Sequence, residues 1–79
     1  MTEIENHYKI ATENLFIKYG MDGWTVDDNL LMTGKDEKQY QIEFIGLNTM
    51  IINVQTDEEI CYDPLFNKCF ERFVLFNFH

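Results

Sequence analysis

Apolar residues recur at helical spacing along the first quarter of the chain. Five of them follow one another at intervals of four, three, four and four: Ile4, Tyr8, Ala11, Leu15 and Tyr19. Side chains three and four positions apart lie on one face of an α-helix, and Phe16 widens this face. Thr2 and Glu5 have the spacing of a capping box, and Gly20 is suited to end a helix. The pattern predicts a helix over residues 3–19.

The middle of the chain alternates between apolar and polar residues, which is the period of a β-strand. In the run QYQIEFIG the alternating apolar residues are Tyr40, Ile42 and Phe44. In the run MIINVQ the residues that share one face are Met50, Ile52 and Val54. The two runs predict an antiparallel hairpin of residues 39–46 with residues 50–55. The alternation of Trp24 with Val26 adds a third strand.

The last quarter of the chain predicts a second helix. Asp63 and Pro64 are residue types that favour the N-cap and the first helical position. An apolar stripe at helical spacing follows them: Leu65, Phe66, Cys69, Phe70, Phe73 and Val74. The stripe predicts a helix over residues 64–74 with one buried face. The period then changes to two, at Val74, Phe76 and Phe78. This change favours a short closing strand over a continued helix.

Together these elements predict an α+β protein with the order α-β-β-β-α. It consists of an N-terminal helix, a three-stranded antiparallel meander and a C-terminal helix, followed by the short final strand. Thr56 and Glu59 repeat the capping-box spacing and predict a one-turn helix or a capped loop before the second helix. The 79 residues bound the chain to one domain, residues 1–79. Because 46% of the residues are apolar and 15% aromatic, this domain can bury an adequate core.

The charge of the chain excludes more functions than it suggests. Fourteen acidic residues against six basic ones give a formal net charge of −8. Without a basic patch, direct binding to nucleic acid or to an anionic membrane is disfavoured. No run reaches the ~18 apolar residues of a membrane span, and the N-terminal segment lacks the apolar core of a signal peptide. We therefore expect a cytoplasmic protein.

The sequence contains little of the material of catalysis. It has no serine and no Gly-rich phosphate loop, and most carboxylates fall in turns, where neither burial nor a close partner activates them. Cys61 and Cys69 are eight residues apart, which is not the spacing of a zinc site, so we expect buried, reduced thiols. The alternative is a protein that depends on a metal ion or on the redox state of this pair. We expect no enzymatic activity, no metal site and no cofactor.

Acidic residues cluster in the segments between the predicted elements. Those proposed to bind a partner are Asp27, Asp28, Asp36, Glu37, Asp57, Glu58 and Glu59. Carboxylates spaced over a small rigid body can attract the same Lys/Arg groove that binds a phosphate backbone. The simpler alternative is that they keep an aromatic-rich domain soluble.

The order α-β-β-β-α is similar to that of double-stranded-RNA-binding domains. Those domains bind phosphates through a lysine-rich start of the second helix, whereas the corresponding stretch here, DPLFNKCF, contains only Lys68. The resemblance therefore implies the topology and not the binding of RNA. In size, acidity and element order the chain also resembles small phage-encoded anti-CRISPR and anti-restriction inhibitors, which raises the prior for an inhibitor.

The sequence thus predicts a small acidic protein-binding module. We interpret it as an inhibitor, encoded by a phage or mobile element, that occupies the nucleic-acid-binding surface of a basic host protein. The alternative is a homodimeric structural or accessory subunit that associates through its C-terminal aromatic segment. In that case Phe76 and Phe78 would lie at the interface.

Overall fold

Two helices and five strands make up the fold of residues 3–77. A computed structural model describes residues 3–77, without the side chains of Glu5 and Asn77. The elements in chain order are α1 (Glu3–Lys18), β1 (Thr25–Val26), β2 (Leu31–Thr33), β3 (Gln39–Ile45), β4 (Asn48–Asn53), β5 (Glu59–Asp63) and α2 (Phe66–Asn77). The strands form one antiparallel sheet in the order β1-β2-β3-β4-β5. None of the helices in this part of the chain is long and apolar enough to cross a membrane.

One face of the sheet carries the core, and both helices pack on it. Cross-strand pairing aligns its buried residues in two rows: Val26, Met32 and Tyr40 in one, and Ile42, Ile51 and Cys61 in the other. Tyr8 of α1 reaches this face at Phe44, where the ring centroids are 4.7 Å apart. Phe73 of α2 reaches it at Tyr40, at 5.0 Å. Aromatic rings between the helices and the sheet therefore form the centre of the protein.

The α+β class and the antiparallel meander between two helices are confirmed, but the meander has five strands and not three. The one-turn helix or capped loop predicted at Thr56 to Glu59 is a turn that leads into β5. Within β5 only Cys61 is fully buried. A bulge also shifts the register, so that Ile51 pairs with Cys61 and Ile52 pairs with Glu59. Both features break the alternation by which a strand is recognised in a sequence.

The inward face of β4 differs from the predicted one. Thr49 and Ile51 are buried in the core, while Met50 and Ile52 are half-buried on the opposite face of the sheet. Val54 lies beyond the end of the strand. Met50, Ile51 and Ile52 are three apolar residues in succession, so alternation alone does not decide which of them points inward. The pairing of Ile51 with Ile42, which is buried on β3, decides it.

The closing strand predicted after the second helix is wrong for the described residues, because α2 continues to Asn77. The helix begins at Phe66, and the Asp63 carboxylate caps it by accepting a hydrogen bond from the Leu65 N–H at 2.9 Å. A continued helix satisfies its backbone hydrogen bonds internally, whereas a closing strand needs a neighbour. Phe78 lies outside the described residues.

The buried stripe of α1 is shifted from the predicted one. Thr12 and Phe16 are its fully buried residues, flanked by half-buried Tyr8, Leu15 and Tyr19. Ile4, which the spacing placed on this stripe, is exposed. The Thr12 hydroxyl donates a hydrogen bond to the Tyr8 carbonyl oxygen at 2.7 Å, which allows a polar residue to occupy the core. The capping box predicted at Thr2 and Glu5 involves side chains outside the described part of the chain.

Candidate acidic interface

The meander places its turns at alternating ends of the sheet. The turn between β2 and β3 (residues 34–38) and the turn between β4 and β5 (residues 54–58) therefore lie at one end. The turns at residues 27–30 and 46–47 lie at the other end. Most of the predicted partner-binding residues are at the first end: Asp36, Glu37, Asp57, Glu58 and Glu59. All of these are exposed.

Hydrogen bonds tie the two turns at this end together. Gln39 begins β3 directly after the first turn, and its carbonyl oxygen accepts a hydrogen bond from the Val54 N–H at 3.0 Å. Its own N–H donates to Oε1 of Gln55 at 3.3 Å. The two turns are therefore neighbours, and their carboxylates share one surface.

A sixth carboxylate, Asp22, belongs to the same end, and sequence reasoning missed it. Thr25 of β1 pairs with Thr33, which directly precedes the turn at residues 34–38, so the segment before β1 lies beside that turn. Gly23 contacts Lys35 there, since a β-carbon at Gly23 would lie 2.8 Å from the lysine side chain. Asp22 can be assigned to this end of the sheet only when the pairing of β1 with β2 is known.

We call these six carboxylates the acidic end: Asp22, Asp36, Glu37, Asp57, Glu58 and Glu59. The turns that form it carry two lysines, Lys35 and Lys38. Lys38 approaches Asp36 at 3.6 Å, but both side chains are exposed, so this ion pair is weak. Carboxylates are therefore in clear excess at this end of the sheet.

The turns of the acidic end are held in defined conformations. In the second turn, Oδ1 of Asn53 accepts hydrogen bonds from the backbone N–H groups of Gln55 and Thr56, and the Asp57 N–H donates to the Asn53 carbonyl oxygen at 2.7 Å. Asp57 and Glu37 both have positive φ angles, of 61° and 66°. Such backbone is unfavourable for residues other than glycine unless the surroundings impose it. The carboxylates are therefore presented on ordered turns.

Asp27 and Asp28 are not part of this surface, because their turn lies at the opposite end of the sheet. Asp28 forms an ion pair with Lys9 of α1 at 3.0 Å, and its carboxylate raises the pKa of Lys9 by accepting this hydrogen bond. Asp27 has a local structural role, since its Oδ1 accepts hydrogen bonds from the N–H groups of Asn29 and Leu31 at 2.8 and 3.0 Å. These bonds hold the turn that places Leu30 in the core at a φ of 64°.

We expect Asp27→Ala to lower the free energy of unfolding by about 1–2 kcal/mol, because two backbone N–H groups lose a charged acceptor. Urea denaturation of the purified chain measures this change. Asp28→Ala is the matched control and should lower the free energy of unfolding by less than Asp27→Ala does, because its ion pair is exposed. Equal losses in the two variants would show that Asp27 does not organise the turn.

Cys61 and Cys69 come together in the core, where the prediction of buried thiols is confirmed. Their sulfur atoms lie 3.1 Å apart, and the Cys61 thiol is also 3.1 Å from the Cys69 carbonyl oxygen. The hydrogen bond between the two thiols raises the pKa of Cys61 above the usual range, and burial adds to this effect. The same hydrogen bond lowers the pKa of Cys69. Cys69 therefore ionises before Cys61.

The C-terminal aromatic segment is only partly accounted for by the core. Phe70 and Phe73 have no exposed surface, whereas 57% of Phe76 is exposed. The homodimer interpretation stays a prediction, since Phe76 is accessible and Phe78 is outside the described residues.

Near the start of α2, a groove of about 510 Å³ lies between the two helices, and its lining includes His7, Tyr8 and Phe66.

Among residues 3–77, no group of three or more His, Cys, Asp or Glu side chains is placed to hold a metal ion.

In comparisons with protein-family models, curated proteins and solved structures, no family model, protein or structure matches this chain.

Proposed function

We propose that this protein is a small acidic binding module that inhibits a basic host protein by occupying its nucleic-acid-binding surface. In this proposal it acts in the cytoplasm and is encoded by a phage or mobile element. The observation that carries the proposal is the convergence of six exposed carboxylates from three separate segments on one end of the sheet.

The acidic end supports the proposal because its charges are both concentrated and ordered. A protein groove that binds nucleic acid is lined by lysine and arginine, and its field steers any polyanion of matching spacing towards it. Turns held by strand pairing lose little conformational freedom on binding, so more of the electrostatic attraction contributes to affinity. Asp22 contributes from a third segment, which broadens the charged surface beyond the two turns.

The alternative, that the carboxylates only keep the protein soluble, makes a different prediction about position. Solubility depends on the total charge, whereas recognition depends on where the charges lie. Two variants with the same formal net charge of −4, four less negative than the −8 of the natural chain, separate these explanations.

The first variant neutralises the acidic end with amides of the same shape: Asp36→Asn, Glu37→Gln, Asp57→Asn and Glu58→Gln. An asparagine at position 36 retains the oxygen that accepts the Lys38 N–H at 3.3 Å, so the turn keeps its hydrogen bond. The second variant changes four exposed carboxylates elsewhere: Glu13→Gln, Asp28→Asn, Glu43→Gln and Glu71→Gln.

The variants are immobilised beside the natural chain and exposed to extract of the native host, and retained proteins are identified. We expect the natural chain and the second variant to retain a basic nucleic-acid-binding protein that duplex DNA or RNA displaces. Neutralising the acidic end should slow the association of this partner with the chain roughly ten- to a thousand-fold at low salt. It should also weaken the salt dependence of binding. Equal binding by both variants, or a partner that nucleic acid fails to displace, would contradict the proposal.

A further inference from the structure

Within residues 3–77, Cys61 and Cys69 form a cluster of nucleophilic side chains that the acidic end does not use. Cys61 lies in the middle of β5 and Cys69 in the first turns of α2, so the pair joins a strand to the helix packed on it. Their sulfur atoms are 3.1 Å apart, about 1 Å more than the length of a disulfide bond. Asp63 holds the turn between them in place. Its carboxylate caps α2, and its Oδ2 lies 3.5 Å from Nη2 of Arg72.

We infer that Cys61 and Cys69 are a disulfide-forming pair, in which oxidation by a hydroperoxide links α2 covalently to β5. The geometry carries the inference, because two elements already packed together hold the sulfur atoms in direct contact. In the closed arrangement the sulfur atoms need to approach by only about 1 Å to reach bonding distance. The inference is independent of the proposed function.

The reaction has two steps, and hydrogen peroxide supplies the oxidising power. The Cys69 thiolate attacks one oxygen of the peroxide, the O–O bond breaks, and the departing hydroxide takes up a proton to leave as water. Cys69 is then a sulfenic acid. The Cys61 sulfur attacks the Cys69 sulfur, the S–O bond breaks, and the departing hydroxide takes the proton of Cys61. Two thiols and one peroxide thus give one disulfide and two water molecules.

The structure supports these roles for the two residues. The hydrogen bond between the two sulfur atoms lowers the pKa of Cys69 and so favours its thiolate, which is the form that reacts with peroxide. Cys69 has no exposed surface and Cys61 only 6%, so peroxide reaches them when α2 separates locally from β5. Closure then brings the sulfur atoms together, and the disulfide holds the closed arrangement.

The test uses the full chain, purified with both thiols reduced and then treated with hydrogen peroxide. The protein is denatured, the remaining thiols are alkylated, and its intact mass is measured. We expect a monomer whose cysteines have lost two hydrogen atoms, carry no oxygen and have taken up no alkylating agent; any oxygen gained should map to the methionines. Peptide mapping should join the segment containing Cys61 to the segment containing Cys69. Dithiothreitol should restore the original mass.

A second measurement, on the natural chain, follows thermal unfolding before and after oxidation. Closing the short loop between the cysteines should raise Tm by roughly 10 °C, and reduction should reverse the shift. Cys61→Ser provides the control, in which Cys69 should gain oxygen atoms instead. The inference is overturned if peptide mapping finds oxygen on Cys61 or Cys69 of the natural chain, or if the chain forms disulfide-linked dimers or keeps two alkylatable thiols after peroxide treatment.

Discussion

Phe73→Ala is expected to lower the free energy of unfolding by about 3–5 kcal/mol. The ring has no exposed surface, and its centroid lies 5.6 Å from Trp24, 5.0 Å from Tyr40 and 5.6 Å from Phe70. It therefore joins α2 to the segment before β1 and to the central strand. A domain of this length is stabilised by roughly 4–12 kcal/mol, so the loss is a large part of the total.

The matched control for this prediction is Phe76→Ala, which makes the same change one turn further along α2. Because 57% of Phe76 is exposed, its removal should cost less than about 1 kcal/mol. Urea denaturation followed by the fluorescence of Trp24 compares the two variants, with circular dichroism as a second probe. A loss at Phe76 as large as that at Phe73 would place Phe76 in the core and would contradict the described packing.

Ile51→Ala is the second large prediction, with an expected loss of about 2–5 kcal/mol. Ile51 has no exposed surface. On the face of the sheet that the helices cover, it lies between Ile42 of β3 and Cys61 of β5. Truncation leaves a cavity beneath α2 that the rigid strands on both sides do not fill. The same urea denaturation measures the loss.

Ile52→Ala is the control for Ile51→Ala, because it removes the same atoms from the neighbouring residue. Ile52 is half-buried on the face of the sheet opposite the helices, so its truncation should cost only about 1 kcal/mol. The alternation of Met50, Ile52 and Val54 predicts the reverse order of effects. The comparison therefore tests the orientation of β4 directly.

Local periodicity was sufficient where one face of an element is apolar and the other polar. The predicted hairpin of β3 and β4 agrees with the observed bounds to within two residues. The buried face of α2 is also predicted, with Cys69, Phe70 and Phe73 on it, but Leu65, which the predicted stripe includes, precedes the helix and is exposed. Periodicity failed where three apolar residues follow one another in β4, and where a bulge and flanking acids obscure β5. In those places the signal depends on a partner strand that is distant in sequence.

The candidate site, like the fold, is predicted only in part from the sequence. The sequence places carboxylates in the connecting segments. Five of the seven predicted partner-binding carboxylates lie at the acidic end, and Asp22 is the sixth carboxylate there. Which ones converge depends on β2, a strand of three residues that alternation did not reveal. Because β2 lies between them, the turn with Asp27 and Asp28 and the turn with Asp36 and Glu37 fall at opposite ends of the sheet.

The sequence by itself determined the α+β class, the two helices, the central hairpin, the aromatic core of α2 and the acidic character of the turns. These follow from the local period of apolar residues and from residue types that favour caps and turns. Only the tertiary structure decided the number of strands, the inward face of β4, the acidic end and the contact between Cys61 and Cys69. Each of these depends on which strands pair, and pairing is set by contacts between residues far apart in the chain.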